Sequence, residues 1–222
     1  MNKRHEYGSE FYNITLKKIV KNEILSFFGR MLSRNNILPN TKYLQLGCGE
    51  SDVKNDFINC DFYTLDFFNP FKKKKIHFLD LRYPLPFKDN SFEGCFSEHT
   101  LEHLYPSEAN RLFKEVNRIL KPGAILRVIT PDLKKYIKYY VDKNFSIGRD
   151  FGLGCEAIWN LTHNFSHRSV WDSEMLIHHL KKNKFTKCIE LKYKHSQNQN
   201  LILDKEGREI ESIYVEATKP QI

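Results

Sequence analysis

The stretch YLQLGCG at residues 43–49 decides the fold of this chain of 222 residues. A short, mostly apolar run leads directly into two glycines, which permit a tight turn and leave no Cβ between the backbone and a ligand. In an open parallel sheet, ligands bind beyond the carboxyl ends of the strands, which is where this turn would lie. The stretch therefore predicts a buried strand that ends in a ligand-binding turn.

Short apolar runs recur downstream and alternate with helical patterns. The predicted strands after the first are 57–60, 76–79, 92–96, 124–129, 188–193 and 212–218. Residues 107–120 have the spacing of an amphipathic helix, and the Lys-Pro-Gly sequence at 121–123 predicts its end. The alternation predicts an α/β fold in which a mostly parallel sheet carries helices on both faces. A turn at 205–207 predicts a hairpin-like edge for the last two strands.

Two carboxylates follow the second and third predicted strands. Asp61 ends the second strand, where a carboxylate can accept hydrogen bonds from both hydroxyls of a ribose. Asp80 ends the third, where its carboxylate and the backbone N–H of Leu81 can address an adenine edge. The alternatives are a solvated turn carboxylate for Asp61 and a helix or turn cap for Asp80. Together with the glycine turn, the two carboxylates predict a nucleoside-containing ligand along three successive strand ends.

These motifs resemble those of one enzyme family. Residues 43–49 resemble the first motif of class I S-adenosylmethionine-dependent methyltransferases. Residues 85–104 resemble the stretch around the fourth strand of the type 11 branch, and residues 115–124 resemble that branch's next helix and turn. The resemblance covers about residues 41–132. It implies a Rossmann-like sheet of seven strands with an antiparallel last strand, S-adenosyl-L-methionine as cofactor and S-adenosyl-L-homocysteine as product.

The resemblance also assigns cofactor-binding residues. Gly47 and Gly49 would lie against the methionine moiety, Asp61 on the ribose and Asp80 near the adenine. The full predicted set is Gly47, Cys48, Gly49, Asp61, Asp80, Leu81 and Ser97. Two positions depart from the family's pattern, because Gln45 stands where many members have an acidic residue and Ser51 where many have a third glycine.

The domain plan follows from the same motifs. We expect a single domain over residues 1–222, with a cofactor-binding half at 41–132 and acceptor-pocket elements with edge strands at 133–222. Residues 10–34 place apolar side chains at helical spacing with lysines between them, which predicts a basic amphipathic helix. Such a helix can lie on a membrane surface, but we favour one that covers the sheet or a ligand pocket.

Methyl transfer is an in-line displacement at a sulfonium carbon, so the protein chiefly positions the acceptor and excludes water. A base is needed only if the attacking atom arrives protonated. His99 and His103 follow the fourth strand and are the predicted catalytic residues, with His99 nearer the strand end. The alternative is that they cap or pack a helix. His163, His167 and Arg168 are predicted to bind the acceptor, or else to form a polar surface loop.

Metal ions and disulfides are not expected. Residues 99–103 match the spelling H-x-x-E-H of a zinc peptidase motif, but the surrounding glycine turn and strand-end aspartates explain that stretch without a metal. The five cysteines form no C-x-x-C pair, which argues against a disulfide framework. With no apolar stretch long enough to span a membrane, the expected location is the reducing cytoplasm.

The predicted activity is methyl transfer to an oxygen or nitrogen atom of a small molecule or glycan precursor. The net charge of +8 keeps an RNA methyltransferase as the alternative, although the lysines are scattered and the base-modifying motifs are missing after the fourth strand. A nicotinamide-dependent oxidoreductase is disfavoured because the last glycine of G-x-G-x-x-G is absent. A non-catalytic cofactor-binding partner protein stays open, since a cofactor site does not prove turnover.

Overall fold

The structure, a computed structural model, describes residues 16–33, 41–49, 53–62, 76–142 and 144–221. Within these ranges the strands are β1 (Tyr43–Leu46), β2 (Phe57–Asp61), β3 (Ile76–Phe78), β4 (Phe92–Glu98), β5 (Leu120–Pro131), β6 (Thr186–Leu191) and β7 (Ser212–Thr218). The α-helices are α1 (Leu16–Ser33), α2 (Pro106–Ile119), α3 (Leu133–Val141), α4 (Gly154–His163) and α5 (Ser173–Lys182). Short 3-10 helices occupy Leu101–His103, Asn164–Ser166 and Gln199–Leu201.

The seven strands form one sheet in the order β3-β2-β1-β4-β5-β7-β6. Neighbouring strands from β3 to β5 pair in parallel, whereas β7 pairs antiparallel with both β5 and β6. The chain runs outward from β1 to β3 and then returns to place β4 beside β1. The switch point of the sheet therefore lies between β1 and β4. The predicted Rossmann-like α/β fold with a reversed last strand is confirmed.

Alternate side chains of the strands build a separate core on each face of the sheet. On one face, Leu44 and Leu126 pack with Phe113 of α2 and Leu176 of α5. On the other face, Phe96 packs with Leu201 of a 3-10 helix. The helix α1 also lies on this second side, where a Cβ at Gly29 would collide with the Phe78 ring. Helices thus cover both faces, as predicted.

The N-terminal helix α1 is joined to the sheet by polar contacts. The Ser26 hydroxyl donates to Asp80 at 2.6 Å, and Glu23 forms an ion pair of 2.6 Å with Arg82. Large apolar side chains of α1, including Ile24, Phe27 and Phe28, stay more than half exposed. The predicted range was 10–34, of which residues 10–15 and 34 lie outside the described residues. No helix in the described ranges is both long and apolar enough to cross a membrane.

The strand β5 begins earlier than its sequence pattern indicates. The Lys-Pro-Gly sequence at 121–123, predicted as a turn before a strand at 124, lies inside the strand. Leu120 already pairs with Phe92, and the register shifts before Ile125 pairs with Gly94. This irregularity absorbs the extra residues, with Gly123 at a φ of 79°. A bulge of this kind tolerates both the proline and the left-handed glycine.

A buried cluster of charged side chains holds the loop before β7 against the second face of the sheet. The Arg127 side chain has no exposed surface and forms ion pairs of 2.6 Å with Asp204 and 3.0 Å with Glu216. It also donates to the backbone carbonyl of His195 at 2.8 Å. Asp204 accepts a further hydrogen bond from the Lys194 backbone at 2.7 Å. Because these charged groups are buried away from water, their ion pairs and hydrogen bonds with one another have to replace the lost solvation.

We expect Asp204→Ala to lower the free energy of unfolding by about 3 to 5 kcal/mol, because Arg127 would stay buried without half of its counter-charge. Urea denaturation of the purified variant measures this loss. Lys42→Ala is the matched control, since Lys42 is 71% exposed and only 3.4 Å from Glu93. The control should cost less than about 1 kcal/mol. Equal losses in the two variants would contradict the buried cluster's role.

Candidate active site

The glycine turn beyond β1 lies at the switch point of the sheet. Gly47 and Gly49 have φ angles of 66° and 61°, in the left-handed region that side chains rarely adopt. A Cβ at Gly47 would collide with the Thr100 side chain, whereas a Cβ at Gly49 would meet no atom within 4 Å. Between them, the backbone N–H of Cys48 donates to the Cys60 carbonyl at 3.1 Å. The turn is therefore tightly packed at Gly47, against Thr100, and open at Gly49.

Asp61 reaches this turn from the end of β2. Its carboxylate oxygen Oδ2 accepts a hydrogen bond of 2.9 Å from the backbone N–H of Gly49. Its own carbonyl accepts from the Leu79 backbone at 3.0 Å, which fixes the end of β3 beside it. Two of the predicted cofactor-binding elements, the glycine turn and Asp61, are thus brought together as the sequence predicted.

Asp80 has a different environment from Asp61. Its carboxylate is buried and accepts hydrogen bonds from the Arg82 guanidinium, the Arg82 backbone and the Ser26 hydroxyl. Burial acts to raise the pKa of Asp80, but the hydrogen bonds from Arg82 and Ser26 lower it overall. The carboxylate therefore caps a turn and anchors α1. Contact of Asp80 and its half-buried neighbour Leu81 with an adenine stays a prediction.

Two further predicted cofactor residues are buried beside the switch point. Cys48 is 2% exposed, and its backbone N–H already donates to the Cys60 carbonyl. Ser97 is 5% exposed and pairs with Leu46, the last residue of β1. Their roles in cofactor binding stay predictions, but both lie next to the turn.

A cavity of about 570 Å³ opens beyond the carboxyl ends of β4 and β5. Its wall includes His99, Glu102, His103, Tyr136, His167 and Arg208. Thr100, whose side chain packs on Gly47, stands in the chain between His99 and Glu102. Thr100 therefore connects the glycine turn to the cavity wall through its chain neighbour His99, and both predicted catalytic histidines line the cavity.

His99 is held in a strained position directly after β4. Its φ is 48°, which is costly for a side chain with a Cβ, and its backbone N–H donates to the Ile129 carbonyl at 2.9 Å. Its Nε2 lies 2.7 Å from the Ser212 hydroxyl, and its Nδ1 lies 3.6 Å from Glu102. Burial lowers the pKa of His99 to about 2. The imidazole is therefore neutral at neutral pH.

His103 and His167 meet across the cavity with their ring centroids 5.0 Å apart. Nδ1 of His167 donates to the Leu161 carbonyl at 2.7 Å. Burial lowers the pKa of His103 to about 4, and it also lowers the pKa of His167. Such burial makes a protonated ring costly, so it weighs against His99 or His103 acting alone as a strong base. Their predicted catalytic role stays a prediction.

Glu102 is a buried carboxylate that sequence reasoning passed over. It is 1% exposed, and its Oε2 accepts a hydrogen bond of 3.2 Å from the Thr130 hydroxyl. Its Oε1 has no hydrogen-bond partner. Burial raises the pKa of Glu102 to about 7. The sequence signal that could have marked Glu102 is its place in the H-x-x-E-H spelling at residues 99–103, which by itself indicates only a zinc peptidase motif.

The other two predicted acceptor-binding residues lie outside the cavity wall. The exposed His163 stacks on Trp159, and Arg168 lies over the Tyr105 ring with its guanidinium 4.0 Å from Glu108. Acceptor binding by His163 and Arg168 therefore stays a prediction without geometric support. The wall contains further residues that no motif had marked, namely Tyr136, Arg149, Arg208 and Glu211. They come from separate segments of the chain, so no local pattern could have grouped them.

Comparison with known protein families identifies one matching family model. Residues 44–128 match the type 11 methyltransferase family model, which is described as a methyltransferase domain. No curated protein matches the chain.

Solved structures share the fold at low identity. An S-adenosylmethionine-dependent methyltransferase from Archaeoglobus fulgidus is 15% identical with a TM-score of 0.52, and the match covers 92% of this chain and 100% of that one. A Thermotoga maritima protein, described as a possible histamine N-methyltransferase, is 19% identical with a TM-score of 0.54 and coverages of 91% and 93%. A Haloferax volcanii chain solved in complex with the Trm112 methyltransferase activator is 11% identical with a TM-score of 0.52 and coverages of 96% and 97%.

At these identities the solved structures establish only the fold. The support for a methyltransferase activity comes from the family match. The matched segment runs from within β1 to within β5 and therefore contains the glycine turn, Asp61 and the two cavity histidines that follow β4, His99 and His103. Residues 44–128 therefore match a type 11 methyltransferase domain, and the solved structures share the fold of the whole chain.

Proposed function

We propose that the enzyme methylates an oxygen or nitrogen atom of a small molecule or glycan precursor held in the cavity. The observation that carries this proposal is the position of the cavity beside the glycine turn. Thr100 packs on Gly47 while its chain neighbour His99 lines the cavity. An acceptor in the cavity would therefore lie close to the methionine end of a cofactor on the turn.

The residues around the turn fit S-adenosylmethionine. The open space at Gly49 leaves room for a ligand against the backbone, and Asp61 provides a carboxylate at the next strand end. When bound, the cofactor would supply an electrophilic methyl group on its sulfonium sulfur. The chain's own residues hold the acceptor in line and keep water out.

The size and lining of the cavity support a small polar acceptor. A volume of about 570 Å³ lies within the range of small-molecule sites. Its wall mixes the aromatic rings of Tyr136 and Phe165 with the guanidinium groups of Arg149 and Arg208. Guanidinium groups hold carboxylates and phosphates through paired hydrogen bonds. We therefore favour an acceptor with an anionic group, such as a sugar acid or a sugar phosphate.

The alternatives have less support. An RNA methyltransferase would use the excess of 8 positive charges, but a cavity of about 570 Å³ suits a small acceptor better than a nucleic-acid strand. A non-catalytic cofactor-binding protein would need no acceptor cavity beside the turn. We also infer a cytoplasmic location, which the five cysteines support because they form no disulfide, as is usual in reducing compartments.

We expect wild-type protein to bind S-adenosylmethionine and S-adenosylhomocysteine in calorimetric titrations, and Asp61→Ala to lose that binding. The physical reason is that the Asp61 carboxylate orders Gly49 and, by this proposal, would accept hydrogen bonds from the ribose hydroxyls. Asp56→Ala is the matched control, because Asp56 is an exposed carboxylate before the same strand. NAD and NADP serve as competing cofactors. Binding of NAD instead of the sulfonium cofactor would overturn the assignment.

The two glycines should respond differently to alanine. Gly47→Ala places a Cβ against Thr100 as well as straining the backbone, whereas Gly49→Ala adds only a left-handed strain of about 1 to 2 kcal/mol. We expect the larger loss of stability in Gly47→Ala, measured by urea denaturation. The double variant Gly47→Ala/Thr100→Ala should recover part of that loss. Additive losses would mean that the Thr100 contact is unimportant.

Arg208→Ala should raise KM for anionic acceptors by about tenfold or more, because a charged hydrogen bond to the acceptor is lost. Neutral acceptors should be affected less, and the rate on small acceptors should depend little on salt. A methylation assay over a panel of sugar acids, sugar phosphates and neutral sugars measures this. Arg111→Ala on the exposed face of α2 is the control. A steep salt dependence with RNA as the better acceptor would favour the alternative activity.

A further inference from the structure

We propose that the cavity binds a divalent transition-metal ion, with Zn²⁺ as the best-suited probe, through Glu102, His103 and His167. This departs from the sequence-based expectation that no metal is bound. It deepens the proposed function and rests on it in one respect, since the ion would lie in the cavity assigned to the acceptor.

The three side chains come together from two distant segments. Glu102 and His103 belong to the 3-10 helix after β4, and His167 directly follows the 3-10 helix after α4. One ligand atom from each lies within 4.8 Å of the others. Among the described residues, this is the one group of three metal-ligating side chains that is so close. A single ion at the centre could therefore contact all three after small side-chain adjustments.

Glu102 supplies an independent reason to expect a cation. Its carboxylate is 1% exposed, and the oxygen Oε1 has no hydrogen-bond partner. The neutral imidazole of His99 has its Nδ1 3.6 Å from this oxygen, which is too distant for a hydrogen bond. A buried carboxylate oxygen without a partner is costly, and buried carboxylates are normally paired or bound to metal. A metal ion would supply the missing partner.

The two histidines are oriented as metal ligands commonly are. The Leu161 carbonyl accepts from Nδ1–H of His167 at 2.7 Å, so the lone pair of His167 lies on Nε2. The backbone of Phe165 and Ser166 lies beside the His103 ring, where it acts to raise the pKa of that ring. Metal-binding histidines usually donate their second ring N–H to such an acceptor, which fixes the tautomer and the ring plane.

The backbone also holds the two segments in register. The N–H groups of Arg168 and Ser169 both donate to the Glu102 carbonyl, at 2.8 and 3.1 Å. His167 is therefore fixed beside Glu102 by bonds on its C-terminal side. On its N-terminal side, Phe165 and Ser166 have φ angles of 54° and 63°. Two successive left-handed residues with side chains bring His167 back toward the cavity.

The donor set indicates the class of metal. Two imidazole nitrogens and one carboxylate oxygen suit Zn²⁺ and neighbouring transition metals better than Mg²⁺ or Ca²⁺. Three protein ligands leave at least one coordination position open, as in catalytic rather than structural zinc sites. The arrangement differs from the H-x-x-E-H reading, because His99 is engaged by Ser212 at 2.7 Å and His167 takes its place.

An ion at this position would help to hold the acceptor. The cavity wall also carries Arg149 and Arg208, so an anionic acceptor could contact the ion at one end and a guanidinium group at the other. Two fixed contacts would orient the acceptor more strictly than either alone. This gives the ion a positioning role, and the residues Glu102, His103 and His167 the role of its ligands.

The test is a titration of chelator-treated protein with Zn²⁺, Mn²⁺ and Mg²⁺ in the absence of S-adenosylmethionine. We expect wild type to bind one Zn²⁺ per chain and to prefer it to Mg²⁺. His167→Ala and Glu102→Gln should each weaken binding by at least about tenfold. His178→Ala should leave it unchanged, because His178 is exposed on α5 and outside the cavity. Absence of stoichiometric binding, or equal binding by all variants, would overturn the proposal.

A second measurement needs no variant and stays decisive if one of them fails to fold. X-ray absorption of the zinc-loaded wild type should show two imidazole ligands and oxygen. A sulfur ligand would identify an exposed thiol such as Cys155 and overturn the proposal, as would a shell of oxygen alone. Because cofactor is absent from both measurements, failure here leaves S-adenosylmethionine binding untouched. Zinc binding without cofactor binding would instead count against the proposed function alone.

Discussion

The contact between Gly47 and Thr100 is the constraint on which the rest of the site depends. A Cβ at Gly47 would collide with the Thr100 side chain, so β1 can end this close to the chain after β4 only with glycine. The Thr100 hydroxyl in turn donates to the Glu98 carbonyl at 3.1 Å, which fixes its own position at the end of β4. His99 directly precedes Thr100, and Glu102 follows it by two residues. The same contact therefore sets the distance between the glycine turn and the cavity.

The parts of the fold that follow from short-range pattern were predictable from the sequence. The run at 43–49 forms a buried strand and a glycine turn, and Asp61 reaches that turn from the next strand. The start of β5 was not predictable, since pairing of Leu120 with Phe92 overrides the turn signal of Lys-Pro-Gly. Likewise β6, predicted at 188–193, occupies Thr186–Leu191, where its register against β7 decides the bounds.

The candidate site shows the same division between local and long-range information. His99 and His103 follow a strand and could be identified as candidates from that position. His167 was identified only as part of a polar segment, and its neighbours His163 and Arg168 lie outside the wall. What selects His167 is the pair of backbone hydrogen bonds from Arg168 and Ser169 to Glu102, which no sequence spacing reveals.

Several departures from ordinary backbone and side-chain rules lie in the wall of the cavity. Among described residues other than glycine, His99, Phe165 and Ser166 have a positive φ and also line the cavity. Glu102, beside them, is buried with an unsatisfied oxygen. Each such feature costs stability by itself, so the surrounding structure must impose it. Strain at functional sites is a common reason for such features, and it agrees with the choice of this cavity as the candidate active site.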